Sequence, residues 1–437
     1  MAHAGEAHPF SISDFKPEMI RGTPGFFRAG RSRRGQWWLI EPDNRPFFSK
    51  GVAGVNRSGR IEGRPVPPGD YASAVERIYQ PEAFVQATLD RLKKWRFNTL
   101  GIGAGPEFSG QGLAAMEILD LCKQAGGGVN FAGARLPDVF EAGWPAACER
   151  AAAEICAPRR ESRELVGYFT DRDLGWAQPL DDKSPAAAKK SRPSLLQICL
   201  SLEPSAAAYH AAWEFVLAVR QGNLETLARD WAIELPNKET LRQVTQAEIP
   251  VATPGYLRDN RNFSREFARR YFTTAAAAIR RYDPNHLILG CRFGDWPGGT
   301  VLAECAYPAV DVVSADVCSA ALFDRTENFS RSGQMPFLAS EFAWNGEEFA
   351  ELRTAREPGG LTSVERMLRR GRAVLERALT HPALVGYVWP RWTDAAGEVP
   401  PFGSGLVHAD DGEAREHTEL LANLNARVEK IRRASAH

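Results

Sequence analysis

Two carboxylates, each closing an apolar run, are the residues most able to do chemistry. The segment Val166-Gly-Tyr-Phe-Thr-Asp-Arg-Asp-Leu-Gly-Trp176 reads as a buried strand, Leu165 to Phe169, that stops on Asp171, Arg172 and Asp173. Met335-Pro-Phe-Leu-Ala-Ser-Glu341 does the same and is followed by Phe342 and Trp344. Two carboxyl groups facing each other across a gap suit cleavage of a glycosidic bond. One protonates the leaving oxygen, and the other attacks the anomeric carbon or activates water. Trp176, just past the first acid, suits stacking on a sugar ring.

Such acids work only if a scaffold brings distant strand ends together. Gln36-Trp-Trp-Leu-Ile40 and Pro46-Phe-Phe-Ser-Lys50 read as a hairpin turning at 41–45. Beyond it, apolar strands near residues 51, 98, 128, 165, 286, 311, 336 and 384 are mostly separated by helical stretches. These stretches include Pro81–Arg96, Leu113–Ala125, Trp144–Cys156, Phe263–Tyr282 and Ser363–Thr380. Asp283-Pro284 ends the fourth of them. Eight such βα units predict an α/β fold, a (β/α)8 TIM barrel with a short N-terminal β-hairpin extension and long βα loops. Residues 1–35 read as a polar lead-in and 36–437 as a single barrel domain. The stretch from Lys183 to Pro193 reads as a flexible surface loop.

Bulk properties narrow the function classes. Fifty-four basic and 54 acidic residues cancel, which argues against nucleic acid and against a polybasic membrane anchor. The N-terminus carries no basic region followed by a long apolar run, so neither a signal peptide nor a membrane span is expected. The seven cysteines are odd in number and lack CxxC spacing, which fits reduced thiols in the cytoplasm. No two histidines are spaced for a metal, and no phosphate loop accompanies Gly126-Gly-Gly128. Neither metal nor cofactor is expected, and the partner is a carbohydrate substrate.

In a barrel of this kind, residues just past each strand's C-terminal end face the active site. Those positions are Asn56, Asp138, Asp171, Arg172, Asp173, Trp176, Arg292, Asp295, Trp296, Asp316, Cys318, Glu341, Trp344, Trp389, Arg391 and Trp392. The set is rich in carboxylates, guanidinium groups and indoles. From it, Glu341 and Asp173 are expected to be catalytic. Arg172, Trp176, Asn56, Asp138, Arg292, Asp316, Trp344, Trp389 and Trp392 are expected to bind substrate. Each also has a structural reading: Glu341 and Asp173 as helix caps, the indoles as core. Asp171 reads as a structural acid.

The ordered motifs Phe47–Asn56, Phe97-Asn-Thr-Leu100, Leu136-Pro-Asp-Val-Phe140, Gly167–Asp171, Leu174-Gly-Trp176, Ala278–Leu287, Ser340-Glu-Phe342, Val385–Trp389 and Gly405-Leu-Val407 resemble the β-agarase-like glycoside hydrolases, family 50 and its neighbours. The resemblance runs over about residues 37 to 430. It implies a retaining (β/α)8 glycosidase, with the acid/base after the fourth strand and the nucleophile after the seventh. Those roles fall on Asp173 and Glu341. The sequence departs from the pattern where Arg172-Asp173 replaces Asn-Glu. Asp316 and Cys318 stand where relatives tend to place Asn and Tyr. An Arg offers a fork suited to a carboxylate, sulfate or phosphate. The acid is shorter by one methylene, about 1.5 Å. Carboxyls about 5–5.5 Å apart retain anomeric configuration, and those about 6.5–9.5 Å apart invert it. The alternatives are therefore an inverting or transglycosylating enzyme acting on a different, acidic sugar, or a barrel that binds carbohydrate without cleaving it.

Overall fold

The structure is a computed structural model that describes residues 10–61, 71–126, 128–131, 134–176, 193–235, 237, 253–331, 333–345, 349, 363–398 and 403–435. The surface loop expected at 183–193 lies almost entirely outside them.

Eight parallel strands form the centre. They are β5 (Ser49–Val52), β6 (Thr99–Leu100), β7 (Ala114–Ile118), β10 (Leu165–Phe169), β11 (Leu287–Ile288), β12 (Val313–Asp316), β13 (Phe337–Glu341) and β14 (Leu384–Trp389). Strands β5 to β11 pair in this order, as do β12 to β14, and β14 pairs back onto β5. The seam between β11 and β12 is joined by backbone bonds. The N–H groups of Asp311 and Val312 donate to the Ile288 carbonyl at 2.9 and 3.2 Å, and Phe293 pairs with Ala315. The ring is thus closed, as a (β/α)8 barrel requires. Strands β10, β13 and β14 are buried at every position, which is why they read as unbroken apolar runs. Gly167 and Gly386 permit the close strand approach. A methyl on Gly167 would run into the Leu287 carbonyl, and one on Gly386 would lie 2.6 Å from Ser49 Cβ.

The expected hairpin is present as β3 (Trp37–Ile40) and β4 (Pro46–Phe47), with Leu39 opposite Phe47. Two further strands come from residues expected to be a lead-in, β1 (Phe15–Arg21) and β2 (Arg28–Ser32). Charged residues mask them in the sequence because much of β1 faces solvent. The C-terminal helix Val428–Ala434 clasps this sheet. Fully buried Arg432 donates to the carbonyls of Trp37, Leu379 and His381 and lies over the rings of Trp38 and Phe48. Burial lowers its pKa to about 9.

The third strand of the barrel is 114–118, not the segment near 128. Ala, Met and Glu are helix formers, so Leu113 to Ala125 reads as a helix. Pairing with both β6 and β10 overrides that propensity. Val129–Phe131 is instead one arm of a small hairpin, β8, with β9 (Ala134–Leu136). Asp138 therefore follows a hairpin rather than a barrel strand. Its carboxylate accepts the Phe140 and Ala208 N–H groups at 3.0 and 2.9 Å, the latter in the first turn of helix Ala207–Ala218. It is a cap rather than a sugar ligand.

The helix Pro254–Tyr282 begins at Thr253, whose side chain accepts the Tyr256 N–H. Its buried Phe263, Phe267, Tyr271, Ala275 and Ile279 recur every fourth residue, the spacing of one helix face. Tyr271 donates to Asp171 at 2.6 Å, and the Cys122 N–H donates to the other oxygen at 2.8 Å. Asp171 therefore ties the end of β10 to two helices. The seven cysteines are free thiols, with only Cys318 exposed. No described helix is long and apolar enough to cross a membrane.

Two stability tests arise from this packing. Gly167→Ala is expected to lower unfolding free energy by about 2 kcal/mol or more in urea titration, because backbone blocks the new methyl. Asp171 gives a pH signature. Burial raises its carboxyl from 3.8 to about 7, against the pull of the Tyr271 and Cys122 hydrogen bonds. A folded pKa above the unfolded one means stability that is complete below the unfolded value and lost as pH rises through the folded one. Asp171→Asn removes that loss, so its melting temperature relative to the parent chain should climb between about pH 4 and pH 8. A pH-independent difference would refute this account.

Candidate active site

Glu341 is the last residue of β13 and 8% exposed, so its backbone is fixed and its carboxylate emerges at the C-terminal mouth. Arg292 meets it there, donating from Nη2 to Oε1 at 2.6 Å. Arg292 leaves β11 in the left-handed region (φ 47°) and is 1% exposed. The same Nη2 lies 3.2 Å from both carboxylate oxygens of Asp316, the last residue of β12. Ser340 donates to Asp316 Oδ1 at 2.7 Å, and the guanidinium lies 5.4 Å from the centre of the Phe169 ring. Burial opposes the charge on Arg292, but Asp316 and then Glu341 outweigh it and hold the group protonated. Three adjacent strand ends are thereby locked by one cation between two acids.

Asp173 stands at the same mouth. It is exposed, with φ 51°, and its Oδ1 would be 3.8 Å from a methyl placed on Gly294, two residues beyond Arg292. Arg172 turns instead toward Asp120, Nε to Oδ1 3.8 Å. Among the described residues it pairs with neither Asp171 nor Asp316, and its buried Nη1 finds no hydrogen-bond partner there.

Several residues expected to bind substrate have other work. Asn56 organises a turn. Its amide donates to the carbonyls of Arg60 and Gly103, and its oxygen accepts from Ser58. The indoles expected to form a sugar platform are core. Trp176 is packed by Phe267, Tyr271, Phe272 and Phe293. Trp344 and Trp389 are fully buried against each other, centroids 4.8 Å apart. Their N–H groups go to His417 Nδ1 and the Ser404 carbonyl, both at 2.8 Å. Trp392, also fully buried, donates to the Tyr71 hydroxyl at 2.7 Å. The faces of all four, and the N–H groups of Trp344, Trp389 and Trp392, are used inside the fold, as large aromatics usually are. Arg292, expected to hold substrate oxygens, is committed to Glu341 and Asp316. Ser340 and Phe169 were not expected at the site; Ser340 adjoins Glu341, and Phe169 closes the strand that leads to Asp171. Among the described residues, no three His, Cys, Asp or Glu side chains converge to hold a metal ion.

No protein-family model matches the chain. It is 24% identical to Beta-agarase A of Vibrio sp. (strain JT0107) over 355 residues, covering 69% of this chain and 34% of that protein. It is 22% identical to Beta-agarase B of the same strain over 492 aligned positions, covering 94% and 49%. The chain thus spans about a third to a half the length of these curated relatives. A solved exo-beta-agarase superposes with a TM-score of 0.75 at 18% identity, covering 99% of this chain and 72% of the other. A solved agarase gives 0.71 at 18% identity, covering 98% and 68%. The resemblance read from the ordered motifs holds: the chain is similar in sequence to beta-agarases, and it shares the fold of agarase-like glycoside hydrolases.

Proposed function

We propose that this chain is a glycoside hydrolase that cleaves an O-glycosidic bond in an oligosaccharide, with Glu341 as nucleophile or base and Asp173 as general acid/base. The observation that carries the reading is the Glu341 carboxylate, held 2.6 Å from the buried Arg292 cation at the C-terminal barrel mouth. A carboxylate in that contact is favoured in its charged form, which both attack on an anomeric carbon and activation of water require. Asp173 is the exposed acid bordering the same opening and would protonate the departing oxygen. Arg292 and Asp316 then act as positioning residues that fix the Glu341 carboxylate. The relatives' names place agarose and its oligosaccharides first on a substrate panel. The shorter acid at 173 favours inversion as a second reading, and proton NMR of the first-formed anomer separates it from retention.

Glu341→Gln should reduce kcat/KM by roughly a thousandfold or more on any substrate that the parent chain cleaves. Asp173→Asn should lose about a hundredfold or more on oligosaccharides, and far less on an aryl glycoside whose leaving group needs no proton. Near-parental activity in either variant removes that residue from the mechanism. Arg292→Met should lower kcat/KM by about tenfold or more, since the Glu341 carboxylate loses the partner that fixes it. Unchanged kcat/KM would show that Arg292 does not position Glu341.

A further inference from the structure

The opposite end of the barrel holds a cavity of about 640 Å³, a volume typical of small-molecule sites. It lies beneath the starts of β5, β6, β7 and β10, and Phe47 and Phe97 form part of its wall. Five cations and three acids line it. The acids already have partners, two of them within the same wall. Glu41 and Asp43 pair with Arg45 at 3.0 and 2.8 Å, and Glu164 accepts the N–H groups of Gly110 and Gly112. Among the described residues, the other four cations, Lys50, Lys93, Arg96 and Arg163, make no side-chain hydrogen bond or close ion pair, though Glu429 lies near enough to Lys50 to act on its charge. Lys50 is half-buried on β5, and burial lowers its pKa, while Glu429 pulls it up and Arg96 pulls it down. Lys50 and Arg96 both line the cavity.

Helix Pro81–Lys94 ends here, and a cation in its last turn is favoured by the helix dipole. That accounts for Lys93 but not for the others. Arg96 is the more informative residue. The Phe97 N–H bonds to the Leu92 carbonyl and the Arg96 N–H to that of Lys93, a helix stop whose left-handed position normally takes glycine. Arg96 occupies it with φ 63°. The chain tolerates a disfavoured backbone conformation at the residue that adds a guanidinium to the cavity, a pattern found at binding sites.

We propose that this N-terminal mouth is a second ligand site, taking a small molecule whose phosphate, sulfate or carboxylate group is gathered by Lys50, Lys93, Arg96 and Arg163 while its body lies against Phe47 and Phe97. The site is separate from the carboxylates at the other mouth and does not depend on their chemistry.

Calorimetric titration of the full chain tests this, with inorganic phosphate, inorganic sulfate, galactose 6-sulfate, galacturonate and neutral galactose as probes. At least one anionic probe should bind saturably, more weakly as salt is raised, and galactose should not respond in this way. The ranking of the probes identifies the anionic group. The Arg96→Gly, Arg163→Gln double variant should weaken that binding at least about tenfold. Arg96→Gly alone should melt no lower than the parent chain, so a loss of binding could not be blamed on unfolding. The proposal is overturned if no anionic probe saturates, or if the double variant binds as tightly as the parent.

Discussion

A guanidinium removed almost wholly from water, at the seam where the barrel closes, is the constraint on which the C-terminal mouth depends. Arg292 leaves β11 and faces β12, and its own N–H donates to Ser314 Oγ at 3.2 Å. An isolated charge buried this deeply would be far too costly. Asp316 and Glu341 remove that penalty, and both stand at strand ends because the parallel register of β12 and β13 puts them side by side. Closure of the ring and alignment of the acids are therefore one event. If β11 and β12 slipped, Arg292 would lose Asp316 and Glu341 would lose its cation.

The same cluster accounts for an acid at 316. One cation serves two carboxylates. A neutral amide at 316 would leave Arg292 to Glu341 alone. Asp316 shares the cation, and Ser340 steadies Asp316 from the adjacent strand.

Much of this fold is legible in the sequence because barrel strands are buried on both faces. Leu165–Phe169, Phe337–Glu341 and Leu384–Trp389 read as apolar runs, and acids just past such runs stand out. The third strand was hidden because Ala114–Ile118 is strand only by virtue of its two neighbours, a non-local cause that no local pattern reports. The acids were legible by type and position. The indoles misled because a tryptophan at a strand end looks the same in a sequence whether its face meets a sugar or another ring. Trp344 and Trp389 meet each other and His417. The partner of Glu341 was named as a site residue, but its ionic role depends on a seam that sequence spacing does not reveal.

The clasp made by Arg432 bears on how the chain is born. Translation delivers Trp38 and Phe48 nearly four hundred residues before the guanidinium that lies over both. Until helix Val428–Ala434 leaves the ribosome, Trp38 and Phe48 lack the cation that covers them and the Trp37 carbonyl lacks its donor. The hairpin therefore completes its packing only after all eight barrel strands have been made.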